Sequence, residues 1–285
     1  AMTKVTIGIP VYNAGSLLRE CLENLRNQTY SDFRAVIFDN HSSDDTQEIA
    51  QHFAQIDPRF SYRRHAANIG AWPNFAALLA SCETEYFLWR AYDDYTDPNF
   101  IGELVRVLDE TPGADLAVGN ISTIKIAGSK RKVRNARAPS RPSQGLLGSY
   151  RLVKYARAAW IYGMWRTQVL QNRWTEVTAF YNHPWGGDFM FMFATLYRGR
   201  VAGSSQTTFY QRVIKHEWKS GESDLTGKLS AVMKYRADAQ SYLDFKAKEF
   251  GESWLERLLY RHLSHWYLNR RIYSEKKIQR MKAKA

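Results

Sequence analysis

Two successive aspartates, Asp93 and Asp94, close the stretch Tyr86-Phe87-Leu88-Trp89-Arg90-Ala91-Tyr92. Tyr86–Trp89 is a short apolar run of strand character, so the pair falls just past a strand end. Adjacent carboxylates there can hold a hard cation such as Mg²⁺ or Mn²⁺, which prefers oxygen ligands. A cation so held would stabilise the negative charge of a leaving diphosphate. The competing reading is a plain turn or a helix cap. Asp97-Pro98 weakens it, because Asp97 already offers a cap and Pro98 suits a first helical position. Two more polar pairs, Tyr12-Asn13 and Asp39-Asn40, also follow strand-like runs, at Val5–Val11 and Phe33–Phe38.

The elements that must position these pairs alternate regularly over the first 120 residues. Leu17, Leu18, Cys21, Leu22 and Leu25 recur at helical spacing after the first strand. A second helix is expected over Ser43–Phe53, a third strand at Tyr62–His65 and a third helix through Phe75–Leu79. The fourth strand, Tyr86–Trp89, precedes a helix from Asp97-Pro98, and Leu116–Val118 reads as a fifth strand. Such repeats imply a mainly parallel sheet flanked by helices, whose ligands bind beyond the carboxyl ends of the strands. Three polar clusters at three successive strand ends then converge on one crevice.

Further along the pattern changes. Gly128–Gly145, rich in Lys, Arg, Ser and Pro, reads as a mobile basic loop. Trp160–Arg166 is strand-like, a helix starts near Asp188, and the chain is helical in character from Leu225 onward. In that last part Leu255, Leu258, Leu259, His262, Leu263 and Trp266 form one stripe, with Arg257, Arg261, Arg270 and Arg271 nearby. Packing on the catalytic part or on a second subunit would explain the stripe, and so would a helix lying on an anionic membrane.

Composition bounds the classes. The chain has 285 residues, 45% of them hydrophobic and 14% aromatic, enough for a sizeable core. Two cysteines, Cys21 and Cys82, sit among apolar neighbours and read as reduced core residues. No run approaches the ~18 apolar residues of a membrane span, and a strand begins at Val5 without a leader. A soluble or peripheral protein of the cytoplasm is expected, peripheral if so at the inner face of the membrane. The net charge is +12, and between Asp115 and Glu176 there are twelve Lys/Arg and no acid. That bias suits donor phosphates, a lipid-linked acceptor or a membrane surface, while no nucleic-acid module accompanies it.

Five motifs in order carry a resemblance to a known family. They are Val5-Thr-Ile-Gly-Ile-Pro-Val-Tyr-Asn13, Gln28-Thr29-Tyr30, Asp39-Asn-His-Ser-Ser-Asp-Asp-Thr46, Asn68-Ile69-Gly70 with Asn74, and Tyr92-Asp93-Asp94. Together they resemble the GT-A catalytic domain of family-2 inverting glycosyltransferases, closely over about residues 3–120 and more loosely over 160–220. The resemblance implies that Pro10 and Tyr12 frame a nucleobase, with Asn13 beside them. Asp39 and Asn40 would match the acidic pair near the base, with Asn40 standing where many members have Asp; its carbonyl could accept N3–H of uracil or thymine. Asn68, Gly70 and Asn74 would line the donor crevice, Asp93 would face the donor and Asp94 would hold Mn²⁺ or Mg²⁺. Asp188 matches the base that takes the acceptor proton in a single displacement; after two glycines it also suits an N-cap. Gly186 and Gly187 would admit an acceptor sugar on which His183 or Trp185 could stack. His216 is a second metal candidate, although the spacing there has two extra residues.

The implied function is inverting transfer from a nucleotide sugar, a UDP-sugar foremost, to a saccharide or lipid-linked acceptor, as in bacterial surface polysaccharide or lipopolysaccharide synthesis. The implied layout is a GT-A catalytic domain over 1–222, split into a nucleotide-sugar-binding half (1–120) and an acceptor-side half (121–222), then a helical extension over 223–285 that could support an oligomer. A nucleotidyltransferase of related fold is the alternative, but Ala14-Gly15-Ser16 lacks the Lys or Arg its phosphate loop would want. A silent sugar-nucleotide-binding subunit is disfavoured by the presence of Asp94 and Asp188. No GxGxxG follows the first strand and no GxSxG occurs, which counts against dehydrogenase and hydrolase chemistry.

Overall fold

The computed structural model describes residues 3–140, 142, 145–183, 185–214, 225–272 and 274–283. Two compact units emerge. The first comprises residues 1–142, 159–172 and 200–216, the second 143–158, 173–199 and 217–285. The segment 121–222 is therefore divided between them.

The first unit holds the sheet. Its strands are β1 (Val5–Val11), β2 (Phe33–Asp39), β3 (Phe60–Arg64), β4 (Tyr86–Trp89), β5 (Tyr95–Thr96), β6 (Leu116–Ala127), β7 (Lys130–Ala136), β8 (Met164–Arg166) and β9 (Val201–Ile214). Among the described residues the order is β3-β2-β1-β4-β8-β6-β9-β5, with β7 beside β6. The β3-β2-β1-β4 half is wholly parallel, β9 runs parallel to β6, and β5, β7 and β8 add antiparallel pairings. Every residue of β1 is buried, as a central parallel strand covered on both faces requires. Between the strands lie α1 (Gly15–Arg26), α2 (Thr46–Ile56), α3 (Ala71–Ala80) and α4 (Phe100–Glu110). Helix α3 packs on β1 and β2, and α4 on β6, β8 and β9.

Two expectations are corrected here. Residues 128–145 are not one loop, because Lys130–Ala136 pairs with Ile121–Ala127 as an antiparallel ribbon. All of β7 up to Asn135 is exposed, so backbone ladder bonds hold it and no buried side-chain pattern announces it. Asp97 does not cap α4 with its side chain. Asn99 holds the N-cap position without a side-chain bond. The Asp97 carboxylate instead accepts from Tyr210 Oη at 3.1 Å. The helix start is served from elsewhere, since Gln28 Oε1 accepts Ile101 N–H at 3.1 Å.

The second unit contains α5 (Gly145–Tyr155), the end of α6 (Thr167–Phe180), α7 (Gly187–Tyr197), α8 (Leu225–Phe250), α9 (Trp254–Tyr267) and α10 (Glu275–Lys282). Helix α7 is buried almost throughout from Met190 to Tyr197, and aromatic stacking surrounds it. Trp174 stacks on Phe191 at 4.6 Å and Tyr197 on Tyr260 at 3.4 Å between centroids. Lys246, 1% exposed, is neutralised inside this unit by Glu176 at 2.9 Å. Both cysteines are buried and unpaired. Among the described residues no helix is long and apolar enough to cross a membrane.

Candidate active site

The strand register brings the polar clusters of the first unit together. Val11 pairs with Asp39, so β1 and β2 end together, while β4 ends at Trp89 opposite Gly8, three residues short of them on the same carboxyl edge. Beyond them the chain is tied laterally. Asn40 N–H donates to Val11 O and Arg90 N–H to Gly8 O, both at 2.9 Å.

The loops after β1 and β2 form one cradle. Asn13, at φ +48°, donates its N–H to Ser42 Oγ at 2.9 Å and accepts Ser43 N–H at 2.8 Å. Ala14 N–H donates to Thr46 Oγ1 at 2.8 Å. Pro10 is buried at the end of β1, while Tyr12 stands 47% exposed and offers a ring to a ligand. Asp39 is fully buried, with Oδ1 accepting from Ser42 N–H and Oγ–H and Oδ2 accepting from Tyr62 Oη. Arg64 lies 3.6 Å from the same carboxylate. Burial, then its hydrogen bond to Asp39, pushes the Tyr62 phenol well above its usual range.

Asn40 and Asn74 act differently from expectation. The carbonyl expected to be open to a base accepts Ile69 N–H at 2.8 Å, and Asn40 is only 4% exposed. Its Nδ2 donates to Asn68 Oδ1, which also accepts Gly70 N–H, each at 2.8 Å. The two backbone donors fix both amide orientations. Asn40 thus builds the Asn68–Gly70 turn, and an Asp there would face Asn68 Oδ1 without a proton to give. Gly70 sits at φ +89°, where a side chain would be strained. Asn74 does not line an open crevice. It is buried, donates to Phe38 O at 3.0 Å and accepts from His65 Nε2 at 2.9 Å.

After β4 the chain turns tightly, Asp94 N–H donating to Ala91 O at 3.3 Å. Asp94 is 3% exposed and its Oδ1 accepts Arg212 N–H at 2.8 Å. Arg212 Nε donates to Asp93 O, and its Nη1 reaches Glu20 at 2.7 Å. Burial, then repulsion from Asp93, pushes the Asp94 carboxyl up to about 7. Asp93 is raised too, chiefly by burial. Two carboxylates thus carry negative charge that their neighbours leave under-compensated.

Arg90 is the residue that sequence reasoning missed. It is fully buried, with Nη1 on Asn24 Oδ1 at 3.2 Å and Nη2 on Thr96 Oγ1 at 3.1 Å. The rings of Phe100 and Phe209 lie 5.8 Å from its guanidinium carbon. Asp94 is the carboxylate it acts on, and burial lowers its own proton affinity. The available signal was a lone arginine closing an otherwise apolar strand, three residues before the aspartate pair.

The second unit carries the other candidates. Gly186, at φ +67°, precedes α7, and a Cβ there would come within 2.7 Å of Ile272 Cδ1. Gly186 holds the N-cap position and Gly187 the first helical one, so Asp188 is not the cap. Its Oδ1 accepts Phe189 N–H at 2.9 Å, and burial pushes its carboxyl up to about 6. Trp185 is 53% exposed. His183 is not an open stacking platform. Its Nε2 bonds Asp238 at 2.6 Å, with its ring edge-on to Tyr181 and tilted against Tyr235. His216 lies outside the described residues.

The family model for glycosyl transferase family 2 matches residues 6–187. The chain belongs to that family. Glycosyltransferase GlyA of Streptococcus pneumoniae is 31% identical over 118 residues, which is 41% of this chain and 16% of GlyA. S. aureus TarS superposes with a TM-score of 0.64 at 18% identity, covering 94% of this chain and 43% of that one. Mannosyltransferase PcManGT of Pyrobaculum calidifontis, solved with GDP-Man and Mn²⁺, gives 0.53 at 16% identity, with 99% of this chain and 74% of that one covered. A TarS fragment solved with UDP-GlcNAc covers 99% of this chain at a TM-score of 0.58. The fold is therefore GT-A, and the chain is a member of glycosyl transferase family 2 whose matched stretch spans a minor part of GlyA.

Proposed function

We propose that the chain moves a sugar from a nucleotide-sugar donor, a UDP-sugar foremost, to a saccharide or lipid-linked acceptor with inversion. The observation that supports this reading is the shared carboxyl edge of β1, β2 and β4, beyond which Tyr12, the Asn13–Ser42 cradle and Asp93–Asp94 all follow. Tyr12 gives the base an apolar face, and the Asn68–Gly70 turn is held ready by Asn40. Asp94 is the residue that would hold Mg²⁺ or Mn²⁺, with Asp93 beside it facing the donor. Their raised proton affinities fit such a dication, and Mg²⁺ sites commonly pair one or two carboxylates with substrate phosphates. When bound, the ion supplies Lewis-acid stabilisation of the leaving diphosphate. Arg212 fixes the turn that carries both aspartates, and Arg90 offsets the charge of Asp94.

Asp188 takes the proton of the acceptor hydroxyl as the new bond forms. A base with a pKa about one unit below neutral is ionised at working pH and still accepts a proton readily. Gly186 and Gly187 do not open the backbone to a sugar, because Ile272 fills the space beside Gly186 and Gly187 is buried, whereas the exposed Trp185 offers an acceptor a ring. The setting is synthesis of a bacterial surface polysaccharide, a reading that rests on kinship alone. A screen of UDP-, GDP- and dTDP-sugars with Mn²⁺ tests the donor class by thermal shift and by release of the nucleoside diphosphate. Failure of every nucleotide sugar to bind or turn over would end this reading.

A further inference from the structure

Helix α9 has two apolar faces. One of them, Tyr260, Leu263 and Tyr267, is buried, with Tyr260 on Tyr197 and Tyr267 on Phe193. The stripe foreseen from sequence is mostly the other face. Trp254 is 76% exposed, Leu255 53% and Leu258 56%, with Leu259 half-buried and His262 exposed. Of that stripe only Leu263 is buried, so the stripe is not what fastens α9. At 100° per residue, Trp254, Leu255, Leu258, Leu259 and His262 fill an arc of about 140°.

One edge of the face is basic. Leu255, Leu258, Leu259, Arg261, His262 and His265 line one continuous shallow depression. Beside it a groove between α8 and α9 is lined by Asp244, Ala247, Lys248, Arg257 and Arg261, three cations against one carboxylate. Asp244 already accepts from Gln240, and Glu256 is engaged in the capping box with Ser253, accepting Ser253 and Glu252 N–H.

We infer that this face of α9 docks on an anionic phospholipid bilayer, with Trp254, Leu255 and Leu258 in the interfacial layer and Lys248, Arg257 and Arg261 on headgroup phosphates. An exposed Trp beside leucines, edged by Arg and Lys, is the composition of a helix lying in that plane. A second copy fits less well. Two-fold pairing of the same patch would bring Arg257 and Arg261 of both copies to one seam in a chain of net charge +12. An anionic surface meets that charge instead of repeating it.

Sedimentation with vesicles tests this on the full chain. The parent should pellet with equal parts phosphatidylglycerol and phosphatidylcholine, far less with phosphatidylcholine alone, and less as salt rises. Leu255→Ser with Leu258→Ser should weaken binding about tenfold or more. Lys248→Gln with Arg261→Gln should remove the preference for anionic vesicles. Melting curves and elution volumes confirm that these variants remain folded. Should the leucine pair be poorly folded, Trp254→Ser serves alone. A parent that ignores anionic vesicles, or a folded leucine variant that binds like the parent, overturns the inference. So does a parent dimer that the leucine variant converts to monomer without vesicle binding.

Discussion

At the residue scale, the two carboxylates raised furthest among the described residues, Asp94 and Asp188, are the proposed metal ligand and base, for different reasons. Asp94 is raised by burial and by Asp93, so its unmet charge invites a cation. Asp94→Asn keeps an oxygen for Arg212 N–H but loses that charge. Metal-dependent turnover should fall at least about 100-fold, and added Mn²⁺ should not restore it. Asp188 is raised by burial near α7, with an ordinary value of 3.8 and a folded value of about 6. Its ionisation therefore works against folding, a cost absent below pH ~4 and fully present above pH ~6. Asp188→Asn should abolish transfer yet raise stability by roughly 1–3 kcal/mol at pH 8, with the gain vanishing toward pH 4. Wild-type kcat should decline below pH ~6 as the base protonates. Melting curves across pH and a pH–rate profile check both limbs. The aspartates were legible because chemistry-bearing types at strand ends are a local signal. Arg90, Tyr62 and His65 were not, since their roles come from partners 6 to 23 residues away or on other strands.

At the element scale, local patterning revealed what is buried on one side and missed what is held by distant partners. Strands β1 and β4 are largely apolar runs, and β2 is one apart from Arg34 and Asp39, so all three read directly. Strand β7 is exposed along its ladder and carries Lys130, Arg131, Lys132 and Arg134, so its composition imitates a loop. The stripe on α9 was read correctly as apolar, but its neighbour Tyr260–Tyr267 face won the core, aromatic rings outcompeting leucines for stacking on α7. The start of α4 makes the same point as a prediction. Its Ile101 N–H depends on Gln28, 73 residues earlier, while Asp97 bonds Tyr210. Gln28→Met preserves volume and leaves that buried donor unpaired. Stability should fall by about 1–3 kcal/mol, whereas Asp97→Ala should cost less, because Asp97 holds no helix N–H with its carboxylate. Chemical denaturation of the two variants separates these outcomes.

At the scale of the whole molecule, the second unit is assembled from residues 143–158, 173–199 and 217–285, three stretches that no local periodicity could group. The proposed donor residues Tyr12, Asn13, Asn68 and Asp94 all belong to the first unit, and Asp188 to the second. That division yields a separable test. A nucleotide sugar with Mn²⁺ at about 100 times its Kd stabilises the folded state by about 2.7 kcal/mol, a rise of roughly 5 °C for a chain of this size. Asp94→Asn should lose the part of the rise that depends on Mn²⁺ and keep the part due to the nucleotide alone. Asp188→Asn should keep the whole rise, because a base that meets only the acceptor contributes nothing to donor binding. If Asp188→Asn also flattens the response to donor, its carboxylate belongs to the donor site and another residue takes the acceptor proton. If Asp94→Asn leaves the Mn²⁺ increment intact, the ion is held by other residues.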